Sequence, residues 1–294
     1  MAGKLKIGNL VIIGVGLIGA SFALALKRAR VVRHVIGVGR TRRNLALARR
    51  LKVIDEAQHD PGRAVRNADL VLLATPVGQM AGVMAAIAPH LRPQTVVTDG
   101  GSTKQDVIAC ARRFLGARFR RFVPAHPIAG TENSGAAAGF AELYRDRSVI
   151  LTPQPETDTD ALRLVQRAWR SCGARVLALD AAEHDRILAA ASHLPHVVAF
   201  SLVNSLAQRH DAERTFGFSA GGLRDTVRIA GSSPEMWADI CMANRDTLLA
   251  ALDDYEDALE EARGAIERGD ADALRRFFAR ARAARERWLV KKQR

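Results

Sequence analysis

The sequence predicts an α/β Rossmann-type doubly wound sheet followed by an all-α helical domain. Short runs of Val, Ile and Leu, bounded by Gly, Pro or Asp, alternate with helical patterns up to about residue 180. Such alternation is typical of a parallel sheet that is buried on both faces. Beyond residue 180 the strand pattern stops and long helical patterns follow. We therefore expect two domains, at 1–180 and at 181–294.

The individual elements follow from periodicity and from the residues that bound each run. The predicted strands lie at 10–13, 35–38, 70–74, 95–98, 122–124, 149–152 and 175–179. The predicted helices lie at 20–30, 42–51 and 77–91, and in the second domain at 183–209, 234–269 and 271–290. Long helices with small and apolar faces commonly pack against a second copy, so we expect a homodimer.

Charge and composition limit the partners of the chain. Its 294 residues carry a formal net charge of +13, mostly from arginines spread along the whole length. Aromatic residues make up only 5% of the chain, which leaves no stacking platform for bases, so we expect no nucleic acid. A basic surface suits an anionic cofactor and a small anionic substrate instead.

The location of the protein is predicted from its apolar runs and cysteines. No run approaches the roughly 20 residues that cross a bilayer, so we expect no membrane association. The amino-terminal run continues into a glycine turn and lacks the cleavage site of a signal peptide. Cys110, Cys172 and Cys241 are far apart and odd in number, which argues against a disulfide framework. These features predict a cytoplasmic protein.

A glycine-rich turn at the end of the first strand predicts a dinucleotide site. Gly14, Gly16 and Gly19 have the GxGxxG spacing between a strand and a helix. The first glycine allows the tight turn, the second admits the pyrophosphate, and the third lets helix and strand pack closely. With Leu17 and Ile18 between them, they open a helix whose amino terminus faces the phosphates.

The end of the second strand predicts which dinucleotide is preferred. Enzymes that bind NAD usually place Asp or Glu there to bind the ribose 2′-hydroxyl, but this chain has Gly39, Arg40 and Thr41. A guanidinium and a hydroxyl group suit a 2′-phosphate, so we expect NADP in preference to NAD. The loop with Thr75 and Pro76 is expected to line the same cleft near the nicotinamide.

The segment 122–132, FVPAHPIAGTE, supplies the candidate for catalysis. His126 is predicted in a loop just after a strand, at the edge of the sheet where ligands bind. Histidine can accept and return a proton near neutral pH, and a normal imidazole predicts that kcat/KM falls below about pH 6.5. Ser102, after the neighbouring strand, could bond a substrate oxygen and this histidine. Facing a nicotinamide, His126 would make the protein a dehydrogenase.

These motifs together resemble the prephenate/arogenate dehydrogenase family of tyrosine biosynthesis. The similarity runs through nearly the whole chain. The segments that carry it are GVGLIGAS, ATPV, DGGSTK, HPIAGTENSG, SHLPH and RIAGSSPEMWADI. SHLPH (192–196) and the later RIA-x-S-x-P-x-MW pattern are the most specific of these. The resemblance implies a Rossmann domain, a helical dimerisation domain and a homodimer.

The resemblance also implies roles for individual residues. His126 corresponds to the catalytic histidine, Ser102 to its helper, and Arg228 to the arginine that holds a substrate carboxylate. The further pocket residues that it implies are His193, His196, Thr131 and Glu132. It implies oxidative decarboxylation of prephenate, of arogenate or of both, giving 4-hydroxyphenylpyruvate or tyrosine, with hydride transfer to NAD(P)⁺.

Three alternatives stay open beside this interpretation. Another two-domain NAD(P)-dependent dehydrogenase of the β-hydroxyacid type would need a catalytic lysine, and the region 183–290 contains none. A non-catalytic NADP-binding regulator would keep the glycines but would not need His126. His193 and His196 also have a metal-ligand spacing, but no third ligand accompanies them, and we expect no metal.

Overall fold

The computed structural model describes residues 5–131 and 133–293. The chain divides into two compact units, one up to Arg245 and one from Asp246 onward. The first unit contains both sheets and most of the helices. The second consists of the helical pair at the carboxyl end, and the two units are described in turn.

A six-stranded parallel sheet forms the centre of the first unit. Its strand order is β3-β2-β1-β4-β5-β6. Crossovers on both faces make it doubly wound, so the predicted fold class is confirmed. The strands are β1 (Ile7–Ile13), β2 (Val32–Val38), β3 (Glu56–Gln58), β4 (Leu70–Leu73), β5 (Val96–Asp99) and β6 (Phe122–Val123). The short β3 was not predicted, because its residues Glu-Ala-Gln lack the apolar character on which the prediction rested.

Helices cover both faces of this sheet because alternate strand residues point to opposite sides. On one face, Leu10 and Ile12 of β1 belong to a core that includes Phe22 and Trp169. On the other face, Val11 belongs to a core formed with helices α4 and α5. The helices of this region are α1 (Leu17–Arg28), α2 (Arg42–Arg50), α3 (Pro61–Val65), α4 (Val77–Ile87), α5 (Gln105–Leu115) and α6 (Thr159–Ser171).

A second, three-stranded sheet adjoins the first and contains β7 (Ala125–Pro127), β8 (Ser148–Leu151) and β9 (Arg175–Ala178). β7 pairs antiparallel with β8, and His126 lies opposite Ile150. The sequence analysis placed His126 in a loop, and that placement is wrong. Three residues ending in a proline give no periodicity of their own, because the strand exists only through its pairing with β8.

The helical part of the first unit begins at Asp180, whose carboxylate accepts hydrogen bonds from the backbone N–H groups of Ala182 and Glu183. A π-helical turn at Ala189–His193 interrupts the predicted helix 183–209. The predicted helix 234–269 is likewise two helices, which break at Asn244. The helices here are α7 (Ala181–Leu188), α8 (Leu194–Ala207), α9 (Ala212–Gly217), α10 (Gly221–Val227) and α11 (Pro234–Ala243).

The stretch Ala181–Ala207 is long and apolar enough to cross a membrane, judged by length and composition alone. Its most apolar window has a mean hydropathy of 1.4 and is 22% buried. The same stretch carries three buried polar side chains, His184, Asp185 and His193. These groups make their hydrogen bonds to other parts of the fold, as described below.

The second unit is a pair of long helices, α12 (Arg245–Glu267) and α13 (Ala271–Gln293). Gly269 makes the turn between them with a φ of 64°, which suits glycine because it lacks a Cβ. An ion pair between Arg280 and Glu261 joins the two helices. Apolar side chains stay exposed on both helices of this single chain, including Leu249, Leu259, Ile266, Phe278 and Trp288.

Candidate active site

The glycine turn between β1 and α1 has the geometry that a dinucleotide requires. Gly14 has a φ of 98°, and a Cβ there would lie 2.4 Å from the carbonyl oxygen of Ala74. A Cβ on Gly19 would lie 2.3 Å from the carbonyl oxygen of Gly14. A Cβ on Gly16 would meet nothing within 4 Å, so the backbone there is open to a ligand. These residues therefore fit a dinucleotide, whose pyrophosphate would face Leu17 and Ile18 at the start of α1.

The adenosine end of this cleft is basic. Gly39 directly follows β2, and its carbonyl oxygen lies 2.9 Å from Nδ1 of His59. Arg40 and Thr41 are exposed at the start of α2. Thr41 makes no capping hydrogen bond through its hydroxyl, and the first turn of α2 carries no acidic residue. The site therefore fits a 2′-phosphate without charge repulsion.

The opposite end of the cleft holds a buried polar atom that suits a bound ligand. Thr75 lies after β4 and Pro76 precedes α4. Within the described part of the chain, Oγ1 of Thr75 is buried and has no hydrogen-bond partner. An unsatisfied buried hydroxyl is costly, and a cofactor in the cleft would offer it a partner.

A cavity of about 710 Å³ brings five of the predicted site residues together. His126 on β7 and Ser102 after β5 line one wall. Arg228, His196 and Thr131 also line it. His196 stacks on Trp237, with ring centroids 3.6 Å apart. Apolar walls with a few convergent polar groups are typical of a small-molecule site.

Of the other two predicted pocket residues, only His193 lies within the described part of the chain. It is 1% exposed and is not among the residues that line the cavity, and its role in binding substrate stays a prediction. Its Nδ1 lies 3.1 Å from Nδ2 of Asn244. Its ring packs against Trp237 in a T-shaped arrangement, with ring centroids 6.0 Å apart. Glu132 lies outside the described residues.

No group of three or more metal-ligating side chains occurs among the described residues. His193 and His196 have the three-residue spacing that a metal site could use. Both rings contact Trp237, and no third metal-ligating side chain joins them within the described part of the chain.

A buried lysine, which the sequence analysis did not single out, holds the strand that carries His126. Lys104 and Asp99 are both 0% exposed and form an ion pair. Nζ of Lys104 also donates to the carbonyl oxygen of Ala125 at 2.8 Å. The backbone N–H of Ala125 donates to Asp99 at 2.9 Å. Both backbone groups of the residue preceding His126 are therefore fixed by this pair.

Two further polar residues behind His126 were also missed. Nδ1 of His126 lies 2.9 Å from Nε2 of His184, and Nδ1 of His184 lies 2.8 Å from Oδ1 of Asp185. His184 and Asp185 are 0% and 1% exposed. The sequence signal was a His-Asp pair in the middle of α7. That pattern does not reveal a partner 58 residues away.

Burial sets the protonation of the histidines in this site. It lowers the pKa of His126 well below the ordinary 6.5, and the nearby charges of His184, Lys104 and His193 act in the same direction. Burial also lowers the pKa of His193 to about 4. His126 is therefore neutral and able to accept a proton at neutral pH. The loss of activity predicted from an unperturbed imidazole, near pH 6.5, moves to lower pH.

Two family models match the chain. "Prephenate dehydrogenase, nucleotide-binding domain" matches residues 22–178, and "Prephenate dehydrogenase, dimerization domain" matches residues 180–280. The cyclohexadienyl dehydrogenase of Zymomonas mobilis is 40% identical over 279 residues, or 94% of either chain. The prephenate dehydrogenase of Bacillus subtilis is 36% identical over 95% of this chain and 75% of that protein.

Solved structures of similar proteins agree with these matches. The prephenate dehydrogenase of A. aeolicus, in complex with hydroxyphenyl propionate and NAD⁺, has a TM-score of 0.91 and 33% identity. That match covers 97% of this chain and 99% of the other. The arogenate dehydrogenase of Synechocystis has a TM-score of 0.78 and 28% identity, and the match covers 95% and 99%. The chain belongs to the prephenate dehydrogenase family.

Proposed function

We propose that this protein oxidatively decarboxylates prephenate, arogenate or both, with hydride transfer to NAD(P)⁺, in tyrosine biosynthesis. The observation that carries the proposal is the cavity in which His126, Ser102 and Arg228 converge. A proton acceptor, a hydroxyl group and a cation in one pocket match a substrate that has a ring hydroxyl and a carboxylate. The family to which the chain belongs supports the same reaction.

The substrate determines what each residue has to do. It is a cyclohexadiene with a hydroxyl on C4 and a carboxylate on C1. His126 accepts the hydroxyl proton, and Ser102 holds the hydroxyl oxygen in place. Arg228 orients a carboxylate with its planar guanidinium. Thr131 and His196 complete the wall of the cavity.

Bound NAD(P)⁺ supplies the acceptor for the hydride that leaves C4. As the C4 hydroxyl becomes a carbonyl, the C1–carboxylate bond breaks and carbon dioxide leaves. The electron pair of that bond enters the ring, which becomes aromatic, and the proton held by His126 returns to the oxygen to give the phenol. Aromatisation provides the driving force, so the residues mainly supply alignment and a proton acceptor.

The preference for NADP over NAD is proposed from the end of β2. Arg40 and Thr41 are exposed where a 2′-phosphate would lie, and no acidic residue occupies the first turn of α2. A guanidinium can bind a phosphate through two parallel hydrogen bonds. The alternative is a preference for NAD, and the A. aeolicus complex contains NAD⁺.

The assembly and location of the protein are also proposals. We propose a homodimer, supported by the exposed apolar side chains of α12 and α13 and by the match to the dimerization-domain model. We propose domains at 1–180 and 181–294, supported by the helix cap at Asp180 and by the limits of the two family models. We propose a cytoplasmic enzyme with a small anionic substrate, without nucleic acid or membrane partners.

A four-way assay tests the proposed function. Purified protein is mixed with prephenate or arogenate, each with NAD⁺ or NADP⁺, and the reduced cofactor is followed by absorbance. Turnover in any of the four mixtures supports the reaction, and the fastest mixture identifies substrate and cofactor. A higher kcat/KM with NADP⁺ supports the role of Arg40. Absence of turnover in all four would favour another two-domain dehydrogenase or a non-catalytic NADP-binding regulator.

A further inference from the structure

We infer that His184 and Asp185 form a buried chain of hydrogen bonds that fixes the tautomer of His126 and leaves its Nε2 as the acceptor in the cavity. The two residues act through His126, so they are positioning residues. The inference deepens the proposed function and rests on it for its catalytic consequence. The tautomer itself can be measured without any turnover.

The chain starts from Asp185, which is held as a carboxylate. Its Oδ1 accepts a hydrogen bond from the backbone N–H of Lys104 at 2.8 Å, and its Oδ2 accepts from that of Gln105 at 2.8 Å. Both donors lie at the amino terminus of α5, where the helix dipole stabilises negative charge. Burial opposes ionisation, but the hydrogen bonds from His184 and from these backbone groups outweigh it and lower the pKa of Asp185.

The tautomers follow from Asp185 outward. A carboxylate can only accept, so Nδ1 of His184, 2.8 Å away, carries the proton and donates it. The other nitrogen of a neutral imidazole is then an acceptor. It follows that Nδ1 of His126, 2.9 Å from Nε2 of His184, is the donor in that contact. The proton on Nδ1 of His126 leaves Nε2 with a free lone pair.

The groups around His184 are buried with it. Its ring is 0% exposed. Lys104, just before α5, is paired with Asp99, and burial raises the pKa of the Asp106 carboxyl in the first turn of α5. At the start of α8, burial lowers the pKa of His193 to about 4.

Hydrogen bonds around Asp185 also fix the position of α7, in addition to that of the two imidazole rings. Nδ2 of Asn244 donates to the backbone carbonyl oxygen of Asp185 at 2.8 Å. Lys104 contributes twice, since its backbone N–H binds Asp185 while its side chain binds the carbonyl oxygen of Ala125 beside His126. The two ends of the chain of hydrogen bonds are thus fixed to each other. A histidine held by a neighbouring group in one tautomer and orientation is a more effective base than a freely rotating one.

Nitrogen-15 NMR of the histidine rings tests the tautomer directly. Protein labelled with ¹⁵N-histidine is recorded near pH 7, and His126→Asn identifies the His126 signals by their loss. The inference predicts a protonated Nδ1 and an unprotonated Nε2 for His126. A His126 protonated at Nε2, or a doubly protonated His184, would overturn it. The tautomer is measured on the wild-type protein, and the variant serves only to assign the signals, so the result does not depend on turnover.

Kinetics of two substitutions test the consequence for catalysis. His184→Leu removes the nitrogen that accepts the hydrogen bond from Nδ1 of His126. We expect kcat to fall about 10²-fold, with the substrate KM and the cofactor affinity changed less than about threefold. In His184→Gln the side-chain oxygen can replace Nε2 as acceptor, and we expect at least about tenfold of the loss to return. The control is His34→Leu, a partly exposed histidine on β2, which should keep wild-type kcat.

The results separate the inference from the proposed function. A folded His184→Leu protein with wild-type kcat, or a folded His184→Gln protein no faster than it, would contradict the inference. If either variant fails to fold, the NMR result on the wild-type protein decides. If the wild-type protein turns over neither prephenate nor arogenate, the proposed function fails while the tautomer of His126 is still determined.

Discussion

Replacing Lys104 by methionine should strongly destabilise the protein. The side chain of Lys104 is 0% exposed, as is that of its partner Asp99. Methionine fills similar space but carries no charge. The substitution would leave the Asp99 carboxylate buried without a counter-charge and the carbonyl oxygen of Ala125 without the donor that now lies at 2.8 Å. Removing one partner of a buried pair costs about 3–5 kcal/mol of unfolding free energy.

The size of that effect can be compared with a matched control in the same chain. Lys27 also pairs with an aspartate, Asp55, at 2.7 Å, but their side chains are 24% and 38% exposed. Lys27→Met should therefore cost only about 0–1 kcal/mol. For a chain of this size, about 2–4 °C per kcal/mol implies that Lys104→Met lowers Tm by roughly 6–20 °C.

Urea unfolding followed by far-UV circular dichroism measures the difference, with the midpoint and the slope recorded for each variant. We expect a clearly lower midpoint for Lys104→Met at an unchanged slope, and a midpoint close to wild type for Lys27→Met. The double substitution Lys104→Met with Asp99→Asn should recover part of the loss, because it removes the unpaired charge. Equal midpoints for the two single variants would refute the reasoning.

Three further predictions concern activity. First, the kcat/KM profile should stay flat from pH 7.5 to about 6.5 and fall only at lower pH. Burial lowers the pKa of His126, so the neutral imidazole persists over that range and can accept the proton. A fall centred at or above pH 6.5 would contradict this. Second, Arg40→Asp should raise KM for NADP⁺ by about tenfold or more and leave KM for NAD⁺ nearly unchanged. The reason is that a carboxylate at this position repels the 2′-phosphate, which only NADP⁺ carries. Equal changes for both cofactors would exclude a role of Arg40 in distinguishing NADP⁺ from NAD⁺. Third, Arg228→Lys should raise the substrate KM by about tenfold with little change in cofactor affinity. A lysine cannot bind a carboxylate through two parallel hydrogen bonds, as an arginine can. A wild-type KM in steady-state kinetics would show that this arginine does not hold the substrate.

Local patterns in the sequence predicted the nucleotide-binding part of the fold well. Gly14, Gly16 and Gly19 lie within six residues of one another, so their spacing alone predicts the turn. The run that became β4 is buried along its whole length and consists only of Leu and Val, as expected for a strand that is covered on both faces.

Features that depend on distant contacts were missed or misplaced. β7 exists because it pairs with β8, some 22 residues later, and so His126 was predicted in a loop. His184 contacts His126 across 58 residues, which no periodicity encodes. The contact between His193 and Asn244, 51 residues later, is likewise absent from any local pattern. The buried charge of Lys104 was equally invisible, because a lysine is normally expected on the surface.

The stoichiometry of the reaction tests the central claim most directly. Prephenate or arogenate labelled with ¹³C in the ring carboxylate is incubated with protein and NADP⁺ or NAD⁺, and labelled carbon dioxide and reduced cofactor are measured together. The account predicts one carbon dioxide per reduced cofactor, and a fall in both rates of about 10²–10⁴-fold in His126→Asn with cofactor binding retained. Reduced cofactor without carbon dioxide, or an unchanged rate in His126→Asn, would contradict it.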